Sequence, residues 1–316
     1  MATATTTNEG YRMDTKRFFR YLAPNMVTLC SLIFGMLSIK CSVEGQFEAA
    51  SWFILLSVLT DKLDGFVARL VRGTSEFGVQ MDSFADFLNF GIAPATLWYS
   101  FFSKAEDLPW AAGSGRLILL ACCALWMLAV TFRLARYNIV GDDPRSKHIF
   151  FGVPTTMAGG WLVSIFLTFL KYGEIRYRDL AQAAFHEPRM FGGLELSRGV
   201  WLWFPALVIV GAILMASTVR FPKLGKSKSK AITAFIFANV FAGYIIGFMR
   251  ILPEYLASIS TIYIVVALPW GVLSKDVRGL RAPAIFPKTD HPPGKEPQRP
   301  EDDALAEDEA EAGSAA

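Results

Sequence analysis

Residues 48–70 read EAASWFILLSVLTDKLDGFVARL and residues 82–103 read DSFADFLNFGIAPATLWYSFFS. Each block is long enough to cross a bilayer as a helix, for which about 20 apolar residues suffice. Yet together they carry Asp61, Asp64, Arg69, Asp82 and Asp86. An ionised side chain at the centre of a span costs about 2.5–3.5 kcal/mol on insertion scales, so four carboxylates in this setting point to a ligand.

The surroundings have the same character. The 316 residues are 53% hydrophobic and 19% charged, with a mean hydropathy of +0.36, more apolar matter than one soluble core of this size can hide. A soluble enzyme is thereby excluded. Further apolar blocks at 23–41, 115–136, 154–171, 199–219, 230–250 and 254–273 bring the predicted spans to eight, in an all-α polytopic membrane protein. Met13 to Tyr21 mixes Phe18, Phe19 and Tyr21 with Lys16, Arg17 and Arg20, the composition of a short interfacial amphipathic helix. No small-residue cleavage site follows, and the first span is expected to be retained.

Charge sets the orientation. The net +3 hides an acidic end, because residues 301–316 hold seven acids and no base, and without them 31 basic residues face 21 acidic ones. Arg220, Lys223, Lys226, Lys228 and Lys230 follow the sixth block, whereas the gap after the first offers only Glu44 and Glu48. With basic loops inside, both termini are cytoplasmic and 172–198 lies outside. The basic residues of 220–230 serve topology and attraction to anionic lipids, and no nucleic-acid partner is expected. The predicted organisation is a cytoplasmic segment over 1–22, a membrane domain over 23–275, and a tail over 276–316. The tail is Pro-rich and then acidic, and too poor in apolar residues to order itself.

Within the membrane domain Asp61 and Asp64 are three apart and Asp82 and Asp86 four apart, so each helix presents its acids on one face. Converging anions in a low dielectric need cations between them, and hard oxygen ligands favour Mg²⁺, Mn²⁺ or Ca²⁺. Gly65, Ala68, Gly73 and Gly78 are interleaved with the acids. They let either a substrate or a neighbouring helix approach closely. Arg133 and Arg136 share a face at the end of the fourth block, where they could clamp an anion or anchor the cytoplasmic end. Asn138 and Lys147 are weaker candidates for the same neighbourhood, and Thr155 and Thr156 could cap their helix. Cys30, Cys41, Cys122 and Cys123 have no metal or disulfide spacing and are expected to be packing residues. Trp98, Tyr99, Trp201 and Trp203 are expected in an interfacial belt. His148, His186 and His291 are isolated and are assigned no catalytic role.

Written as a pattern, Asp61-x2-Asp64-Gly65-x2-Ala68-Arg69-x8-Gly78-x3-Asp82-x3-Asp86 resembles, at every fixed position, the signature of the CDP-alcohol phosphotransferase family. Pro24-Asn25 with Thr28, the run Asp82 to Ala95 through Asn89-Phe90-Gly91 and Ala93-Pro94, Phe132-Arg133 with Arg136 and Asn138, and Phe151-Gly152-Val153-Pro154 resemble the integral-membrane branch of that family that acts on serine. The resemblance spans residues 20 to 275. Val153, Thr155 and Thr156 depart from the commoner Leu and Ser-Pro of that branch.

The resemblance implies transfer of a phosphatidyl group from CDP-diacylglycerol to L-serine with release of CMP. It implies two divalent ions, Mg²⁺ or Mn²⁺, on Asp61, Asp64, Asp82 and Asp86, with Asp86 also the general base. It places the CDP-lipid on Gly65, Ala68, Arg69, Ser75 and Gly78, and the acceptor near Arg133, Arg136 and Asn138. For Arg69 the bland alternative is a snorkelling side chain. A homodimer among membrane lipids is implied, in a bacterial inner membrane with the site facing the cytoplasm. Glycerol 3-phosphate, inositol phosphate or choline are the rival acceptors. A cation-coupled transporter is the rival class, disfavoured because the spans after residue 199 hold no acid within their apolar cores.

Overall fold

The computed structural model describes residues 15–71, 76–140, 149–185, 188–223 and 230–274. The expected tail and Lys147, His148, His186 and His291 lie outside them. The described residues are almost wholly helical: α1 (Thr15–Glu44), α2 (Phe47–Val71), α3 (Glu76–Asp86), a π-helical turn (Phe87–Ile92), α4 (Ala93–Lys104), α5 (Gly113–Val140), α6 (Thr155–Tyr172), the short α7 (Ile175–Leu180), α8 (Gly199–Ala216), α9 (Lys230–Met249) and α10 (Pro253–Leu273).

All eight predicted blocks are helical, with ends shifted by a few residues. From Glu76 to Lys104 the chain is helical without a break. The helix at the N-terminus also runs on from Thr15 with no interruption between the amphipathic stretch and the first span. Among the described residues, four helices are long and apolar enough to cross a membrane: Asn25–Glu44, Gly113–Asn138, Gly199–Ala216 and Pro253–Leu273. Large apolar side chains such as Ile33, Leu128, Ile213, Phe241 and Val265 point outward. A helix apolar all round is a lipid-facing one, and this is an integral-membrane architecture.

Inside the bundle, several hydroxyls are satisfied locally. The hydroxyls of Ser42, Ser51, Thr60 and Thr168 each donate to the carbonyl four residues back, the usual solution where no water is present. α1 packs on α2, α2 on α6, α5 on α8, and α6 on α10. Near one end, Phe101, Phe102, Phe166, Trp201 and Phe204 form an aromatic core, with Phe101 and Trp201 centroids 4.7 Å apart. Trp98 joins it through Trp126 and Phe204. This corrects the expected belt: Trp98 and Trp201 are fully buried among other rings, and of the four named residues only Trp203 is strongly exposed. Cys41, Cys122 and Cys123 are buried as expected, but Cys30 faces outward.

At the other end, a two-stranded antiparallel ribbon joins β1 (Ile149–Phe151) and β2 (Arg220–Pro222), with Phe150 opposite Phe221. It ties the start of α6 to the end of α8. Gly152 follows β1 at φ +75°, and a Cβ there would overlap the Met215 carbonyl at the end of α8. Only glycine meets both demands.

Candidate active site

The ribbon end of the bundle is where the acids meet. Asp61 comes from the second half of α2, Asp82 and Asp86 from α3. One carboxylate oxygen from each lies within 4.8 Å of the others, and all three residues are half-buried. The four-residue spacing of Asp82 and Asp86 aligns them on one helix face, and α1, which packs against both α2 and α3, holds that face near Asp61. Asp61 is further held by α6, because the Thr156 hydroxyl donates to its Oδ2 at 3.2 Å. Thr156 thus does not cap its helix, whose N-cap is Pro154 with no side-chain bond. Nothing in the chain's local pattern signals this contact across 95 positions.

Among the described residues, Asp61, Asp82 and Asp86 form the cluster fit to hold a metal. Three carboxylates this close repel one another unless a cation or protons intervene. An all-oxygen donor set suits a hard divalent ion. The side chains of Asp64, Ala68 and Arg69 lie outside the described residues, as does Ser75. Gly65 and Gly78 are half-buried near the facing ends of α2 and α3.

The two arginines of α5 do different things. Arg136 aims its guanidinium at the ribbon, donating to the carbonyls of Phe151 (2.7 Å), Ala216 (3.1 Å), Ser217 (3.1 Å) and Met215 (3.4 Å). It fastens β1 to the end of α8. Arg133 is 93% buried, since 7% of its surface is exposed. Its Nε has no partner, its guanidinium lies 5.8 Å from the Tyr137 ring, and its charge is within reach of Asp86 and Asp61. Asn138 donates to the Ser83 hydroxyl at 2.9 Å, linking the end of α5 to the residue beside Asp82.

The fold and site therefore define a helical membrane protein with converging carboxylates and two buried arginines at a single end of its bundle. Residues 21–187 match the family described as CDP-alcohol phosphatidyltransferase, and the chain belongs to that family of enzymes. It is similar to the CDP-diacylglycerol–serine O-phosphatidyltransferase of Helicobacter pylori, 33% identical over 208 residues that cover 66% of this chain and 75% of the relative. The enzyme of that name from Mycobacterium tuberculosis is 35% identical over 158 residues, 48% of this chain and 51% of its own length. The archaetidylserine synthase of Methanothermobacter thermautotrophicus is 34% identical over 159 residues, 49% and 63% of the two chains.

Proposed function

We propose that the chain transfers the phosphatidyl group of CDP-diacylglycerol to the hydroxyl of L-serine, giving phosphatidylserine and CMP. The observation that carries this reading is the meeting of Asp61, Asp82 and Asp86 within 4.8 Å beside a buried Arg133. The serine-specific names of the similar proteins support the choice of acceptor.

Asp61, Asp64, Asp82 and Asp86 are the residues that would hold two divalent ions, Mg²⁺ or Mn²⁺. When bound, such ions neutralise charge on a pyrophosphate and on its leaving phosphate. The serine oxygen attacks the phosphorus that bears the diacylglycerol, and the bond from that phosphorus to the bridging oxygen breaks, so the oxygen leaves with CMP. Asp86 takes the hydroxyl proton as the new O–P bond forms, the stage at which a carboxylate is a strong enough base. Gly65, Ala68, Arg69, Ser75 and Gly78 receive the CDP-lipid. Thr156 steadies Asp61 through its hydroxyl.

Serine is a zwitterion, and its carboxylate needs a cation in a dry pocket. Arg133 supplies it, being buried with its charge within reach of Asp86 and its Nε unpartnered. Arg136 supports this pocket by holding the ribbon through its four carbonyl contacts, and Asn138 by fixing Ser83. The wider reading is an eight-span membrane domain over 23–275, between a cytoplasmic segment at 1–22 and a cytoplasmic tail at 276–316. It acts as a homodimer in a bacterial inner membrane with the site facing the cytoplasm. The gathering of the acids, the ribbon and the basic residues Arg220 and Lys223 at one end supports that orientation.

The test is purified protein with CDP-diacylglycerol, Mn²⁺ and a panel of acceptors, following CMP release and the lipid product. Serine is expected to be used and glycerol 3-phosphate, inositol phosphate and choline refused. Use of a phosphorylated acceptor but not serine would overturn the acceptor and leave the phosphotransferase core standing.

A further inference from the structure

The run Asn89-Phe90-Gly91-Ile92-Ala93-Pro94 has no part in the chemistry above, yet it is where the third span leaves α geometry. Over Phe87–Ile92 the helix widens into a π turn, and the Ala93 amide donates to the Leu88 carbonyl five residues back. The sequence contains the cause. In an α-helix the Phe90 carbonyl would accept from residue 94, but Pro94 has no N–H and its ring crowds that carbonyl.

The orphaned oxygen is taken up from another helix. The Trp126 indole of α5 donates to the Phe90 carbonyl at 2.8 Å, with both residues fully buried. On the opposite side the Asn89 amide donates to the Ser31 hydroxyl of α1 at 2.7 Å. Asn89 lies against Gly35, where any Cβ would overlap its side chain. The π turn is thus gripped by α1 and α5 together.

An extra residue in one turn rotates what precedes it by about 100° and displaces it by about 1.5 Å relative to a continuous α-helix. Asp82 and Asp86 precede the turn, while α4 follows it and is anchored in the aromatic core by Phe101 and Phe102. We propose that the π turn, forced by Pro94 and held by Trp126 and Asn89, sets the rotation of α3 that brings Asp82 and Asp86 onto Asp61. Trp126 and Asn89 are positioning residues, acting on the carboxylates through the helix. The inference rests on the metal-centre reading only where metal binding is the readout.

Two readouts test it on the full chain: Mn²⁺ binding followed by electron paramagnetic resonance, and cross-linking by a short bifunctional maleimide of cysteines introduced by S83C and N138C in a C30S background. The second reports the rotation of α3 against α5 without any metal. Trp126→Phe keeps a ring but removes the N–H, and is expected to weaken Mn²⁺ binding about tenfold or more, as loss of an outer contact to a metal site does, and to reduce the cross-link. Trp98→Phe is the control, because it trims a ring 5.2 Å away whose Nε1 has no partner, and it should leave both readouts unchanged. Pro94→Ala restores an N–H while trimming only two buried ring carbons, and should act like Trp126→Phe on both readouts in protein that remains folded.

Retention of the cross-link in both Trp126→Phe and Pro94→Ala would overturn the inference, as would equal losses in Trp98→Phe and Trp126→Phe. Absence of Mn²⁺ binding in the parent protein would count against the metal centre, and the cross-link alone would then decide the rotation.

Discussion

The two ends of the bundle both hold buried charge, and they treat it in opposite ways. At the end away from the ribbon, Glu254 at the start of α10 is completely buried, but Lys171 meets its two oxygens at 2.9 and 3.1 Å. The Tyr172 hydroxyl and the Met190 amide add bonds of 3.0 and 2.9 Å. At the ribbon end, Asp61, Asp82 and Asp86 crowd together with the Thr156 hydroxyl and the charge of Arg133 against them. A buried charge whose partners are complete holds a fold together. Acids facing one another with their partners incomplete leave room for something that is not part of the chain.

That contrast can be broken first at the acids. Asp61→Asn or Asp82→Asn removes a charge at nearly constant shape and should abolish CMP release, while the thermal midpoint of the purified protein holds or rises because repulsion is relieved. Asp86→Asn should stop transfer yet leave CDP-lipid binding measurable. A midpoint that collapses along with activity would assign these acids to the fold.

The opposite outcome is expected at the other end. Lys171→Met leaves Glu254 buried without its cation, which costs about 3–5 kcal/mol in other buried pairs, so thermal unfolding should come much earlier. Molecules still folded should keep their turnover rate per active site. Arg133→Ala comes next in size and should raise the KM for serine about tenfold, as loss of a charge-assisted hydrogen bond of roughly 1.5–3 kcal/mol implies, with little change for the CDP-lipid.

The smallest effect is at Asp107, in the connection between α4 and α5. Burial raises its pKa, but the Tyr177 hydroxyl at 2.6 Å and Arg176 at 3.1 Å outweigh burial and hold the carboxyl below the ordinary carboxylate value. A group depressed in the folded state contributes stability above its unfolded pKa of roughly 4, and that stability is lost as pH falls through the folded value. Below about pH 4 the thermal midpoint of the parent protein should therefore fall more steeply than that of Asp107→Asn.

The eight helical blocks were legible because apolar blocks of bilayer length announce themselves, and the acids because charge inside such blocks has no comfortable structural role. What lay opposite each residue was not legible. The spacing of Arg133 and Arg136 places them on one face, yet Arg136 is occupied by carbonyls up to 81 positions away. Lys171 and Glu254 are 83 positions apart, each isolated in its own stretch of sequence. Trp98 and Trp201 read as interface residues by composition, and the core claims them because their rings find others to stack on. Pro94 stood in view inside the third apolar block, but the Trp126 indole that meets the Phe90 carbonyl there did not.

The most direct test of a metal centre built from uncompensated acids is CMP release from CDP-diacylglycerol and L-serine before and after removal of divalent ions by EDTA, followed by re-addition of Mn²⁺. The account predicts that release stops with the chelator and returns with the metal. Release at an undiminished rate in excess EDTA would contradict it.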